Sequence, residues 1–216
     1  MARYHLKPDS PLPRNALIKI PRQPRSIEMV HCILNAGMEI IHESGLHGMT
    51  TNRVAERAGI SIGSLYQYFA NRESILAGII ERSLIDIDQV LQTLPLSRGD
   101  VPPALLLRTG LQLMLHYFDP YIDVLRPILR EAPLLAQNSA ALIMERTVSD
   151  VLRNYLLHNS DRYRLRHGYA GLYVAVNSLI YLYMKWVLEP SPLMSEDQLL
   201  DAVVYQTMMA IEVLDT

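Results

Sequence analysis

Apolar positions recur along this chain at three- and four-residue intervals, the spacing of amphipathic helices, in blocks separated by prolines and glycines. Ile27, Val30, Leu34, Met38 and Ile41 make one face of a first helix, Ile27 to Ser44, which Gly45 ends. Val54, Ala55 and Ala58 share one side of a short second helix that Thr50 or Thr51 can cap. Gly59 follows, placed to take the left-handed conformation that stops a helix, with Ile60 as an apolar plug under the turn. Ser61 can accept from the amide of Gly63 or Ser64 and so open a third helix. That helix carries Leu65 and Phe69 inward and leaves Ile62, Gly63, Ser64, Gln67 and Tyr68 outward. The stretch from Thr50 to Arg72 is predicted to be a helix-turn-helix.

The pattern continues to the end of the chain. Asn71 can cap a long helix through Ile75, Leu76, Ile79, Ile80, Leu84, Ile87, Leu91 and Leu94, followed by a break from Pro95 to Pro103. Leu105 to Tyr117 is apolar on most sides, which predicts burial. Pro120 suits the first turn of a short helix through Val124, Leu125, Ile128 and Leu129 that Pro133 ends, and Leu142 to Leu156 marks another. Arg162, Tyr163, Arg164 and Arg166 read as a solvated helix start. Gly168 to Leu188 holds one charge, Lys185, and is long enough to cross a bilayer. Asn177 and Ser178 at its middle, and rings spread along its length, favour a water-soluble helix buried on several faces. Ser195 and Gln198 form a capping box for a last helix whose apolar positions, Leu199 to Leu214, make two faces. The expected fold class is all-α.

Composition changes this picture in three places. The 216 residues are half hydrophobic, enough for a real core, and the single Cys32 excludes an internal disulfide. A net charge of -2 opposes a generally basic surface, yet Arg3, Lys7, Arg14, Lys19, Arg22 and Arg25 face only Asp9 within residues 1–25. Such an arm can follow phosphates, while its five prolines favour a solvated tail. It lacks the apolar core of a secretion signal, and a cytoplasmic protein is expected. Gly59-Ile60-Ser61-Ile62-Gly63 matches the GxSxG pattern of a serine hydrolase elbow, but no strand pattern precedes it. Ser61 as a helix cap fits better, and neither catalysis nor a cofactor or metal is expected.

From Arg25 to about Ile80 the chain resembles the TetR-type transcriptional regulators: Thr50-Thr51, Val54-Ala55, Ala58-Gly59-Ile60-Ser61, Gly63-Ser64-Leu65-Tyr66, Tyr68-Phe69 and Asn71-Arg72-Glu73 carry the likeness. The resemblance implies an N-terminal three-helix DNA-binding domain followed by a larger helical effector-binding and dimerisation domain. The boundaries then fall at a basic arm over 1–25, a helix-turn-helix domain over 26–72 and a helical domain over 73–216. It also implies a homodimer through the last two helices, double-stranded DNA with a palindromic operator as partner, and a small-molecule effector. By resemblance Thr51, Gly63, Ser64, Tyr66, Tyr68 and Arg72 contact DNA, Tyr66 and Arg72 mainly at phosphates; the family most often has lysine where Arg72 stands. Asn52, Ile62 and Gln67 are the residues whose chemistry suits base edges, since an amide reads adenine and isoleucine meets a thymine methyl. Met114, Tyr117, Leu125, Tyr155, Asn177 and Tyr181, isolated polar or bulky groups on apolar helices, are the candidate effector lining. A membrane-associated or partner-binding helical protein using 168–188 is the alternative in another class.

Overall fold

Helix starts and stops follow the local chemistry of the chain. In the computed structural model, residues 11–91, 101–131 and 141–214 are described. Arg3, Lys7, Leu94, Pro133 and most of the expected break after Leu94 lie outside the described residues. Helix α1 is Pro24–Ser44, with proline at its first position, where the missing N–H costs nothing. Gly45 ends it at φ 70°, its amide donating to Ile41 O at 2.8 Å. Helices α2 (Thr51–Arg57), α3 (Ile62–Tyr66) and α4 (Arg72–Leu91) follow. The amide of Ser74 donates to Asn71 Oδ1 at 2.8 Å, so Asn71 caps α4. Then come α5 (Pro103–Phe118), a single turn at Asp119–Tyr121, α6 (Ile122–Glu131) and α7 (Ala141–His158). Helices α8 (Gly168–Leu188) and α9 (Glu196–Met208) complete the helical set, Ser195 and Gln198 closing the expected capping box on α9.

The described residues up to 86, with those of 119–142, form one compact unit, and the rest form a second. Helix α4 begins in the first and its last turn belongs to the second. In the first unit Val30, Ile33, Leu34 and Met38 of α1 are buried with Val54, Leu65, Phe69, Ile75 and Ile79. Ion pairs fasten its surface: Arg57 bonds Glu39 at 3.2 Å and Glu43 at 2.7 Å, which joins α2 to α1.

In the second unit α9 packs on α5 and α8. Arg108 of α5 pairs with Asp197 at 2.7 Å and with Asp201, both on α9. Helix α8 is long and apolar enough to cross a membrane by length and composition. Here it buries Leu172, Val176, Leu179, Ile180, Tyr183 and Val187 and leaves Tyr169, Tyr173, Val174 and Tyr181 exposed.

The all-α class holds, with one addition. Tyr163–Leu165 (β1) pairs antiparallel with Ile211–Val213 (β2), in the register Tyr163 to Val213 and Leu165 to Ile211. The basic run at 162–166 is thus a strand rather than a helix start. The last helix stops at Met208, short of Leu214. Arg164 reaches Glu212 at 2.8 Å across the ribbon, a cross-strand pair that helps set the register. Helix α5 is also less buried than its composition predicts, with Leu105 and Leu113 exposed.

Tyr155 of α7 is fully buried and donates its hydroxyl hydrogen to Val101 O at 2.6 Å. Burial, and after it the neighbouring Tyr163, pushes that hydroxyl up to about 12, against about 10 for a free phenol. The folded value lies above the unfolded one, so the associated stability is complete below the unfolded value and is lost as pH rises through the folded one. Tyr155→Phe is expected to cost about 1 kcal/mol near neutrality. It should also remove this residue's share of the alkaline loss, as urea denaturation at neutral and alkaline pH would read.

Candidate nucleic-acid interface

The turn between α2 and α3 is held by the backbone. Gly59 at φ 67° donates to Glu56 O at 3.1 Å, and the Ile60 amide donates to Ala55 O at 3.0 Å. This pair of bonds is a Schellman ending, which requires the left-handed conformation that glycine takes without strain. Thr50 caps α2 by accepting from the Arg53 amide at 3.3 Å, and Ser61 caps α3 by accepting from the Ser64 amide at 3.0 Å. The Ser61 and Ser64 hydroxyls lie 2.8 Å apart. Ser61 therefore joins two helices and serves their geometry; the strand that a hydrolase elbow needs is not there.

The surface of this unit presents Asn52, Ile62, Gly63, Tyr66 and Gln67, all exposed, with Thr51 and Ser64 half-buried between them. The hydroxyls of Thr51 and Tyr66 meet at 3.2 Å and link α2 to α3. A Cβ built on Gly63 would have only Ser61 Oγ near it, at 3.8 Å, so the space over that residue is open.

Two of the expected contact residues are placed differently. Tyr68, expected outward, is only 7 % exposed. Helix α3 ends at Tyr66, and the turn that follows, with the amides of Tyr68 and Phe69 both donating to Leu65 O at 3.0 Å, brings Tyr68 toward the core. Arg72 is half-buried and donates from Nε to Met49 O at 2.8 Å and from Nη2 to Leu46 O at 2.7 Å, tying the start of α4 to the loop before α2.

The six candidate lining residues do not come together. A small cavity of about 30 Å³ in the second unit is lined by aliphatic side chains and Gly110, among them Leu107, Leu111, Val148, Leu152 and Leu179, and of the six only Met114 reaches it. Leu125 is buried in the first unit. Tyr155 is committed to Val101, Asn177 donates to Tyr173 O at 2.9 Å within α8, Tyr117 is half-buried, and Tyr181 is 66 % exposed.

The segment before α1 also differs from a solvated tail over its described part. Glu81 of α4 accepts from the Asn15 amide at 3.2 Å, the Asn15 side chain at 2.9 Å and the Ala16 amide at 3.2 Å. Arg82 donates to Pro11 O, and the Ile18 amide donates to Tyr68 O at 2.9 Å. Glu81 and Arg82 are buried in the middle of an apolar helical run. That mismatch is the mark by which the sequence could single them out.

A family model described as bacterial regulatory proteins, tetR family, matches residues 33–79, the stretch that builds this interface. Over these residues the chain is similar to the TetR family. Its sequence relatives include the fatty acid metabolism regulator protein of Bacillus subtilis, 35% identical over 52 residues that cover 24% of this chain and 27% of that one. The class A tetracycline repressor protein from transposon 1721, of Escherichia coli, is 32% identical over 54 residues, 25% of each chain. The chain thus spans about a quarter of the length of these relatives. Among solved structures, FadR of Thermus thermophilus in complex with lauroyl-CoA superposes with a TM-score of 0.63 at 17% identity, over 87% of this chain and 97% of that one. SmeT, the repressor of a Stenotrophomonas maltophilia multidrug efflux pump, gives 0.60 at 22%, over 86% and 91%. At these identities the likeness establishes the TetR-type fold across nearly the whole chain.

Proposed function

We propose that this chain is a homodimeric, sequence-specific transcriptional repressor of the cytoplasm, released from a palindromic operator by a small apolar effector. The exposed ridge Asn52, Ile62, Gly63, Tyr66 and Gln67, on a helix-turn-helix whose turn is locked by backbone bonds, carries the reading. Gln67 and Asn52 supply amides for adenine, and Ile62 an apolar contact for a thymine methyl. Tyr66, with Thr51 beside its hydroxyl, suits a phosphate, as does Ser64. Arg72 and Tyr68 then act first as packing residues that fix the ridge. Residues 26–72 are the reading head, and 73–216 hold the effector and the dimer contact.

The side chains Tyr169, Tyr173, Val174 and Tyr181 of α8, with Tyr205 and Met209 at the end of α9, are large groups left exposed on the last two helices. A second copy covers them in this reading. The aliphatic lining of the cavity would leave any polar group without a partner, so an effector that widened this small space would enter it with a hydrocarbon part. The lauroyl-CoA bound by the structurally similar FadR is a ligand of that chemistry. Because α4 begins in the unit that reads DNA and ends in the unit with the cavity, it is the path of coupling. An effector acts through it by binding one pose more tightly than the other.

Selection of bound duplexes from sheared source-genome DNA, at moderate salt with competitor, tests the reading. One inverted repeat should be enriched, its half-sites about 34 Å or somewhat more apart. No enrichment by a folded dimer, before and after extraction of apolar ligands, would refute it.

A further inference from the structure

The reading head has little positive charge to offer. Residues 26–72 hold three arginines, Arg53, Arg57 and Arg72, against four glutamates, Glu28, Glu39, Glu43 and Glu56. All three guanidinium groups are engaged within the protein. Arg53 donates to Gly48 O at 2.7 Å and Ser44 Oγ at 3.3 Å, Arg57 pairs with Glu39 and Glu43, and Arg72 holds the carbonyls of Met49 and Leu46. Helix α3 carries no charge. Yet neutralising phosphates supplies much of any protein's affinity for duplex DNA.

The segment just before it has the opposite character. Residues 11–25 hold Arg14, Lys19, Arg22 and Arg25 and no acidic residue. All four cations are exposed, and none pairs with a carboxylate among the described residues. The segment is also held at three points. Pro11 O receives Arg82, Asn15 and Ala16 give three N–H bonds to Glu81, and Ile18 bonds the Tyr68 carbonyl just past the end of α3. Pro13 and Pro21 are buried along the way. A cationic segment fixed in this way does not have to be ordered when DNA arrives, which a loose tail does. Its last anchor, Ile18 on Tyr68, brings the next residue, Lys19, close to the residues that follow α3.

We propose that residues 11–25 are a docked arm that supplies the missing DNA-backbone contacts, Arg14, Lys19 and Arg22 meeting phosphates beside the half-site read by α3. Glu81 and Arg82 are the positioning residues that hold it there. The inference rests on the DNA-binding reading above.

The test is fluorescence anisotropy with the selected operator duplex over a range of salt. Each phosphate contact adds about 0.9 to the slope of log K against log salt. The triple variant R14A/K19A/R22A should therefore flatten the slope by about 2 to 3 and weaken binding on the order of 10²-fold at moderate salt. Removing as much charge from exposed residues of the second unit, in R146A/R153A/R166A, should leave the slope unchanged. An unchanged slope in the arm variant, with the parent protein binding the duplex, overturns the arm's role and leaves the reading head standing. A parent protein that binds no selected duplex removes both. For the positioning role, the three arm substitutions should cost clearly less in a Glu81→Ala background than in the parent, because the arm is already released. Full additivity would overturn it. Glu81→Gln, which keeps the side-chain shape but replaces one accepting oxygen by a donor, runs the same cycle if Glu81→Ala does not fold.

Discussion

Replacing Phe69 by alanine is expected to destabilise the unit that holds the helix-turn-helix by about 3 to 5 kcal/mol, the usual cost of removing a fully buried aromatic side chain. The ring has no exposed surface, and it lies directly against the backbone of α4: a Cβ added at Gly78 would stand 3.1 Å from Phe69 Cε1 and 3.0 Å from Leu34 Cδ2. The ring therefore occupies the place where α1, α4 and the residues after α3 close on one another, with a glycine on α4 leaving it room. A loss of that size is a large part of the roughly 5 to 15 kcal/mol by which a domain is stable. Urea denaturation of the two proteins reads it directly, and operator binding should fall with the folded fraction. A change under about 1 kcal/mol would mean that the site repacks, against the tight contacts at Gly78.

Phe69 was legible in the sequence because its inward direction follows from a short-range rule. So were the caps at Thr50, Ser61, Asn71 and Ser195 and the stop at Gly59, since each depends on residues three or four positions away. Tyr68 shows where such rules end. Counting it on a helix that continues past Leu65 points it outward, but α3 stops at Tyr66 and the turn that follows brings Tyr68 inward beside Phe69. The β1–β2 ribbon was hidden for another reason. Strands of three residues cannot show alternation, and the Arg164–Glu212 pair that joins them is 48 positions apart.

The candidate effector lining fared in the same way. Met114 reaches the cavity, whereas Asn177 and Tyr181 are on other faces of α8, because periodicity gives the faces of a helix but not the neighbour each one meets. The arm is the opposite case. Its prolines and charges describe a solvated tail, and only two buried charged residues in α4, Glu81 and Arg82, reveal that something polar must lie against them.

Gly63→Leu is expected to separate folding from DNA binding. The fold has no need of glycine here: φ at this residue is not positive, no neighbour other than Ser61 Oγ stands within 4 Å of the added Cβ, and leucine is a better helix former by up to about 1 kcal/mol. Denaturation should therefore show an unchanged or slightly more stable protein. In the proposed complex the same position faces the duplex, between Ile62 and Ser64, and a leucine side chain would hold α3 away from the base edges. Each well-made base contact is worth about 1 to 3 kcal/mol. Losing one or two predicts operator binding weaker on the order of 10²-fold, with a salt slope close to the parent's because phosphate contacts outside α3 remain. That combination, full stability with lost specific affinity, arises only if the open space over Gly63 is where DNA sits. Parent-like affinity in the variant would show that α3 does not enter the groove by this face. A destabilised variant would show that the space is not open, and the chain's fold rather than its partner would then account for the glycine.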